Sequence, residues 1–181
     1  AAVNELKNTF ILRSDNDYHI LIDKSNNFLT LKNYNEQQYL ESNIVVNGSN
    51  VADSFGITNS ILLFSEKSLE VSSLPPYFHK NSWGHLNVQV PAGIFDISKW
   101  FRPINPAFIN FENNAEFIIK RGDPLLYLRF NTNEKVKLQE FRMTEKIYDM
   151  QNHCVHMKKF FPGKSLNFAY NLFLRKKYNK L

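Results

Sequence analysis

The sequence predicts a mainly β domain ending in a pair of α-helices, and three observations carry that expectation. Apolar runs of about five residues recur from Thr9 to Phe141, cut apart by short Asn, Asp and Ser clusters that suit hairpin turns. HLNVQV, residues 85–90, alternates with period two. Beyond Phe141 the apolar spacing changes to three and four, the period of one helical face.

In chain order, the first elements read as a meander: TFILR, the turn SDND, YHILID, the turn KSNN, then FLTLK. NYNEQQYLESN has apolar positions too sparse to separate a loop from a short helix. IVVN then reads as a strand and VNGSN as a turn. ILLF, residues 61–64, and LEVS, residues 69–72, read as further strands. Pro75 and Pro76 cannot sit in a central strand, so they mark a crossing loop or a sheet edge. FINF and EFIIK read as two strands joined at Asn113 and Asn114, LLYLRF follows Gly122, and KVKLQEF follows the turn NTNE.

The helical tail is defined by Met143, Ile147, Met150, Cys154, Met157 and Phe161, which share one face. Pro162 and Gly163 stop that helix, Ser165 suits an N-cap, and Leu166, Ala169, Tyr170, Phe173 and Leu174 trace a second amphipathic helix. No repeat or low-complexity linker divides the rest. The expected organisation is a β domain over residues 1–141 and a basic two-helix tail over 142–181.

Composition bounds the function classes. With 181 residues, 43% hydrophobic and 22% charged, the chain has enough material for one domain with a core. The lone Cys154 excludes an internal disulfide. No apolar run has bilayer-spanning length, and the start AAVNELKN has neither the basic nor the apolar region of an export signal, so the protein is read as cytoplasmic. The glycosylation-like triplet Asn47-Gly48-Ser49 is then a chance match. The net charge of +5 is unevenly placed: residues 150–181 hold seven Lys and Arg and no acid, which leaves the remainder at −2. Basicity belongs to the tail.

One stretch, Pro91 to Asn131, holds three ordered features. Gly93-Ile94-Phe95-Asp96 reads as an apolar turn closed by an Asp, Asn113-Asn114 as a turn after the next strand, and Arg121-Gly122-Asp123 as a break opening LLYLRF. In order and spacing this stretch resembles the later part of the dUTPase and dCTP deaminase superfamily, whose β-clip fold is a distorted barrel of short strands. It also looks like uncharacterised proteins encoded by phages and bacteria. The resemblance implies a single β-clip or jelly-roll-like barrel and a pocket at Gly93, Ile94 and Phe95 for a nucleotide. It also implies Asp96 as general base or hydroxyl acceptor, and trimers with sites between subunits. The chain departs from the family in several places. PPYFHKNSW stands where a Pro-Arg-Ser-Ser phosphate loop belongs, Trp100 comes at a longer spacing, Tyr127 holds the Gln position, and basic helices replace the Gly-rich arm. No carboxylate cluster for Mg²⁺ accompanies Asp96.

Each remaining candidate has a structural counterpart. An Asp closing a tight turn caps backbone amides as readily as it catalyses. Trp100, Phe101 and Arg102 offer a stacking and cation surface, or else plug the core. His79 and His85 lack the His-x-His pair of a cupin-like metal site, and His153, Cys154 and His156 lack a second ligand group. Lys158, Lys159, Arg175, Lys176 and Lys177 suit nucleic-acid phosphates or a solvated outer face. The resulting expectation is a non-enzymatic binding or assembly module with a degenerate nucleotide-like pocket, forming a dimer or trimer or binding a nucleotide or protein partner. Its competitors are a divergent nucleotide hydrolase using Asp96 and nucleic-acid binding through the tail. No cofactor or membrane enters any of the three and no residue is assigned as a metal ligand, though the hydrolase alternative predicts metal-dependent turnover that Asp96→Asn abolishes.

Overall fold

Short runs of β-branched, aromatic and leucine side chains build the protein as a stack of antiparallel ladders. A computed structural model describes residues 6–32, 44–46, 53–160, 165, 168 and 170–173. Its strands are β1 (Thr9–Arg13), β2 (Tyr18–Asp23), β3 (Phe28–Leu31), β4 (Ile44–Val46), β5 (Ser54–Ile57), β6 (Glu70–Leu74), β7 (Val88–Gln89), β8 (Gly93–Asp96), β9 (Ala107–Asn110), β10 (Asn114–Ile119) and β11 (Pro124–Phe130). One helix, α1 (Glu145–Phe160), follows them. The protein is mainly β.

Three antiparallel sheets are formed, in the orders β1-β11-β6-β8, β10-β2-β3 and β4-β5-β9-β7. All three are open, and no closed barrel forms among the described residues. β11, the near-continuous apolar run PLLYLRF, is buried along almost its whole length between β1 and β6. β10 and β2 alternate instead, each turning every second residue inward. Phe55, Phe108, Phe117 and Trp83 meet in the middle of the core, with ring centroids 5.0–5.8 Å apart. A second, smaller cluster joins Leu62, Phe101, Cys154 and Phe173, and packs the helical tail onto the β part.

Several sequence expectations change on folding. The first two strands form no hairpin: β1 pairs with β11 and β2 with β10, because the apolar edge of β11 takes up the first strand. Only β2 and β3 pair as expected, through a turn with Asn27 at φ 49°. FINF and EFIIK lie in different sheets. Gly93–Asp96 is a strand rather than a turn, HLNVQV contributes only Val88 and Gln89, and SFGI, unpredicted, is β5. ILLF and KVKLQEF enter no sheet.

In the tail, Ile147, Met150 and Cys154 share the packed face of α1 as predicted, while Met143 precedes the helix and is exposed. Residues 168 and 170–173 are helical, and Ser165 Oγ accepts the Phe168 amide at 3.2 Å, the expected cap. Part of IVVN is β4, whereas all of NYNEQQYLESN, the triplet at Asn47 and the Pro162-Gly163 stop lie outside the described residues.

Candidate functional site

Asp96 closes β8, and its chemistry follows from what surrounds it. Its carbonyl accepts the amides of Lys99 and Trp100 at 3.0 and 2.8 Å. Oδ1 accepts the Ser98 amide at 3.0 Å and the Ser98 hydroxyl at 2.7 Å. Oδ2 accepts the Ser68 hydroxyl at 2.9 Å and pairs with Lys99 Nζ at 3.1 Å. Partial burial pushes this carboxyl up, but hydrogen bonds from Ser98, Lys99 and Ser68 outweigh it and hold the group at about 2. A carboxylate so stabilised is a weak proton acceptor at neutral pH. The geometry is that of a turn cap.

The neighbours predicted to line a pocket with Asp96 do not converge. Strand alternation turns Phe95 toward the core and leaves Ile94 67% exposed on the opposite face. Gly93 sits beside Ser73 and the Phe95 ring, so closely that a β-carbon there would lie 3.0 Å from that ring. Trp100 is wedged between Phe95 and Tyr170, with centroids 4.7 and 5.4 Å away, and the Arg102 guanidinium lies 4.1 Å over its ring. The cation and stacking surfaces of Trp100 are therefore already occupied from within. Phe101 is buried in the smaller core cluster. Burial pushes the half-buried Tyr170 hydroxyl up to about 12, against the nearby Arg102 charge.

The histidines serve local structure. His79 Nδ1 lies 2.5 Å from the hydroxyl of the fully buried Tyr127, which also accepts the Phe78 amide at 2.9 Å; this pins the Pro75-Pro76 loop to β11. His85 is exposed. Cys154 is buried while His153 and His156 are exposed, so the three do not face one another. No group of three or more metal-binding side chains occurs among the described residues. Lys158 and Lys159 fall within α1, but their side chains, like Arg175, Lys176 and Lys177, lie outside the described residues.

Two sizeable cavities lie elsewhere, between the two predicted strands that joined no sheet. Residues 58–65 and 135–144 each run without a turn or bend. Two adjoining cavities of about 570 and 370 Å³ separate them, walled by residues 60–65 on one side and 136–143 on the other. Ile61, Leu138, Phe141 and Met143 stand exposed along this groove, and Phe64 meets Phe141 across it with ring centroids 4.9 Å apart. Residues 137–143 make no hydrogen bond among the described residues, and neither do Leu62, Leu63 and Phe64.

Asparagines hold both walls in place. Asn8, at φ 54°, donates from Nδ2 to the carbonyls of Thr132 and Glu134 at 3.0 and 2.6 Å and accepts the Val136 amide on Oδ1 at 3.0 Å. It therefore sets the course of the chain leaving β11. Asn59 donates to the Ile104 carbonyl at 2.7 Å and accepts the Ile61 amide at 2.9 Å, which aims the opposite wall. Sequence reasoning missed both, because an Asn beside a strand is also an ordinary turn residue. The groove itself had a signal: two strand-like runs, ILLF and KVKLQEF.

Comparison with protein-family models, with curated proteins and with solved structures found no match.

Proposed function

We propose that this chain is a non-enzymatic binding and assembly module that takes an extended, apolar segment of a partner into the groove between residues 60–65 and 136–143. The observation carrying this reading is the backbone of residues 137–143, which makes no hydrogen bond among the described residues. A straight run with strand composition and free N–H and C=O groups is what β-augmentation uses: main-chain bonds supply affinity and the flanking apolar side chains select the sequence. The exposed Leu138, Phe141 and Met143, with Ile61 opposite, provide contact area that a chain with no partner leaves in water. Asp96 is then the cap of the β8 turn. The resemblance of residues 91–131 to β-clip enzymes concerns the scaffold, and no metal-dependent nucleotide turnover is expected.

Selection of a random peptide library on the purified protein tests the reading. Peptides with alternating apolar residues are expected, and Leu138→Asp or Phe141→Asp should weaken them at least about tenfold, since each puts a charge into an apolar contact. Selected peptides that bind both variants as tightly as the parent protein would place the binding surface elsewhere.

A further inference from the structure

We infer that α1 is a clamp across the groove: its docking on the β part sets the separation of the two walls, and through it the groove's affinity. This concerns the regulation of the proposed site and rests on that reading. Neither wall is held by a ladder. Leu62, Leu63 and Phe64 make no hydrogen bond among the described residues, and neither do residues 137–143. Each wall is bonded near its ends. On one side the Ile61 amide is held by Asn59, and the Ser65 amide donates to the Ile97 carbonyl at 3.4 Å. On the other, the Val136 amide is held by Asn8, and beyond Met143 the chain enters the cap of α1. There Thr144 accepts the Ile147 amide on Oγ1 at 3.3 Å and the Tyr148 amide on its carbonyl at 2.9 Å. Between those points side-chain packing fixes the spacing of the walls.

That packing runs through the tail. Leu62 lines both cavities and is also a buried member of the cluster with Phe101, Cys154 and Phe173, against which Ile147 and Met150 of α1 pack. Phe64, on the same wall, lies between Phe101 and Phe141, with ring centroids 5.1 and 4.9 Å away. α1 therefore joins one wall through its own chain and holds the other through Leu62. Docked, it makes the two walls one packed unit. Released, it leaves residues 137–143 tethered at Asn8 and takes the cover from Leu62. A peptide touching both walls binds the docked state in preference, and that difference couples peptide binding to tail docking in both directions. Ile147 and Met150 line neither cavity, so changing them reaches the groove through the helix.

Two measurements on the full chain test the clamp. Cys154, the single cysteine and buried in the cluster, reports docking through its rate of alkylation by a maleimide. Ile147→Asp combined with Met150→Asp puts two charges into that cluster and should speed alkylation at least about tenfold. Slow amide exchange in β10 and β11 checks that the β part stays folded, and Met150→Ala replaces the pair where it does not. In a Cys154→Ala background, spin labels on Ser60→Cys and Gln139→Cys, both exposed, read the wall spacing. One narrow distance is expected with α1 docked, and a broad, longer distribution with Ile147 and Met150 changed. Peptides from the library selection should bind the released variant at least about tenfold more weakly. At ten times their dissociation constant they should slow alkylation of the parent protein about tenfold. An unchanged spacing in a chain whose Cys154 has become reactive overturns the clamp, as does a Cys154 that stays protected with both charges in place. Peptides held through Leu138 and Phe141 equally tightly by both proteins also overturn it. Walls that part as expected in a protein that selects no peptide support the clamp and overturn the groove reading alone.

Discussion

Asp96 and Asn8 show how single side chains fix the course of this chain. The Asp96 carboxyl is held at about 2 in the folded state against an ordinary value of 3.8, so the folded protein favours its ionised form. A depressed carboxyl contributes stability above its unfolded value and loses it as pH falls toward the folded one, here between about pH 4 and pH 2. Asp96→Asn should therefore cost about 1–2 kcal/mol at pH 6, after allowance for solvent screening, and almost nothing at pH 2. Urea melts at the two pH values measure this, and an equal loss at both would mean that the charge is not what stabilises the turn. Asn8 makes three side-chain bonds from a left-handed backbone, a conformation Asn tolerates better than most residues. Asn8→Ala should cost about 2 kcal/mol by adding strain to the lost bonds, whereas Asn8→Gly relieves the strain alone. If the two variants melt alike, the bonds rather than the backbone carry the effect.

Secondary elements show which parts of the sequence speak for themselves. β2, β3, β10 and β11 were legible because apolar runs bounded by Asn, Asp or Gly declare strand length locally. α1 was legible from Ile147, Met150 and Cys154, whose spacing survives folding as a packed face. Pairing was not legible: β1 takes β11 as its neighbour across more than a hundred residues, and no local pattern records that choice. Gly93–Asp96 was misread as a turn because Gly and Asp are also turn residues; its bonds to β6 decide otherwise. ILLF and KVKLQEF have strand composition without a ladder, since composition reports a preference and the ladder needs a neighbour. Tyr127 links two elements through its hydroxyl, so Tyr127→Phe should leave the Phe78 amide without its acceptor and cost about 1–2 kcal/mol. An unchanged melting temperature would show that the Pro75-Pro76 loop is anchored elsewhere.

Across the whole molecule, stability should be unevenly shared between the β core and the groove walls. β11 is buried and bonded and β10, buried at every second residue, is bonded along its length to β2, whereas residues 137–143 hold no hydrogen bond among the described residues. Amide exchange should therefore be slow in β10 and β11 and fast over 137–143. Exchange over 137–143 as slow as in β11 would show that these amides are bonded in the free protein. No described helix is long and apolar enough to cross a membrane.

The sequence by itself determined the class of this protein and the position of most elements, because strand and helix periodicity are properties of five to fifteen neighbouring residues. It also marked ILLF and KVKLQEF as strand-like, which is a local property too. Only the tertiary structure decided that β1 joins β11, that both carboxylate oxygens of Asp96 are taken up in capping a turn, and that the two strand-like runs lie side by side across an open groove. Those outcomes depend on which distant surfaces meet, and long-range contacts leave no periodic trace in a single chain.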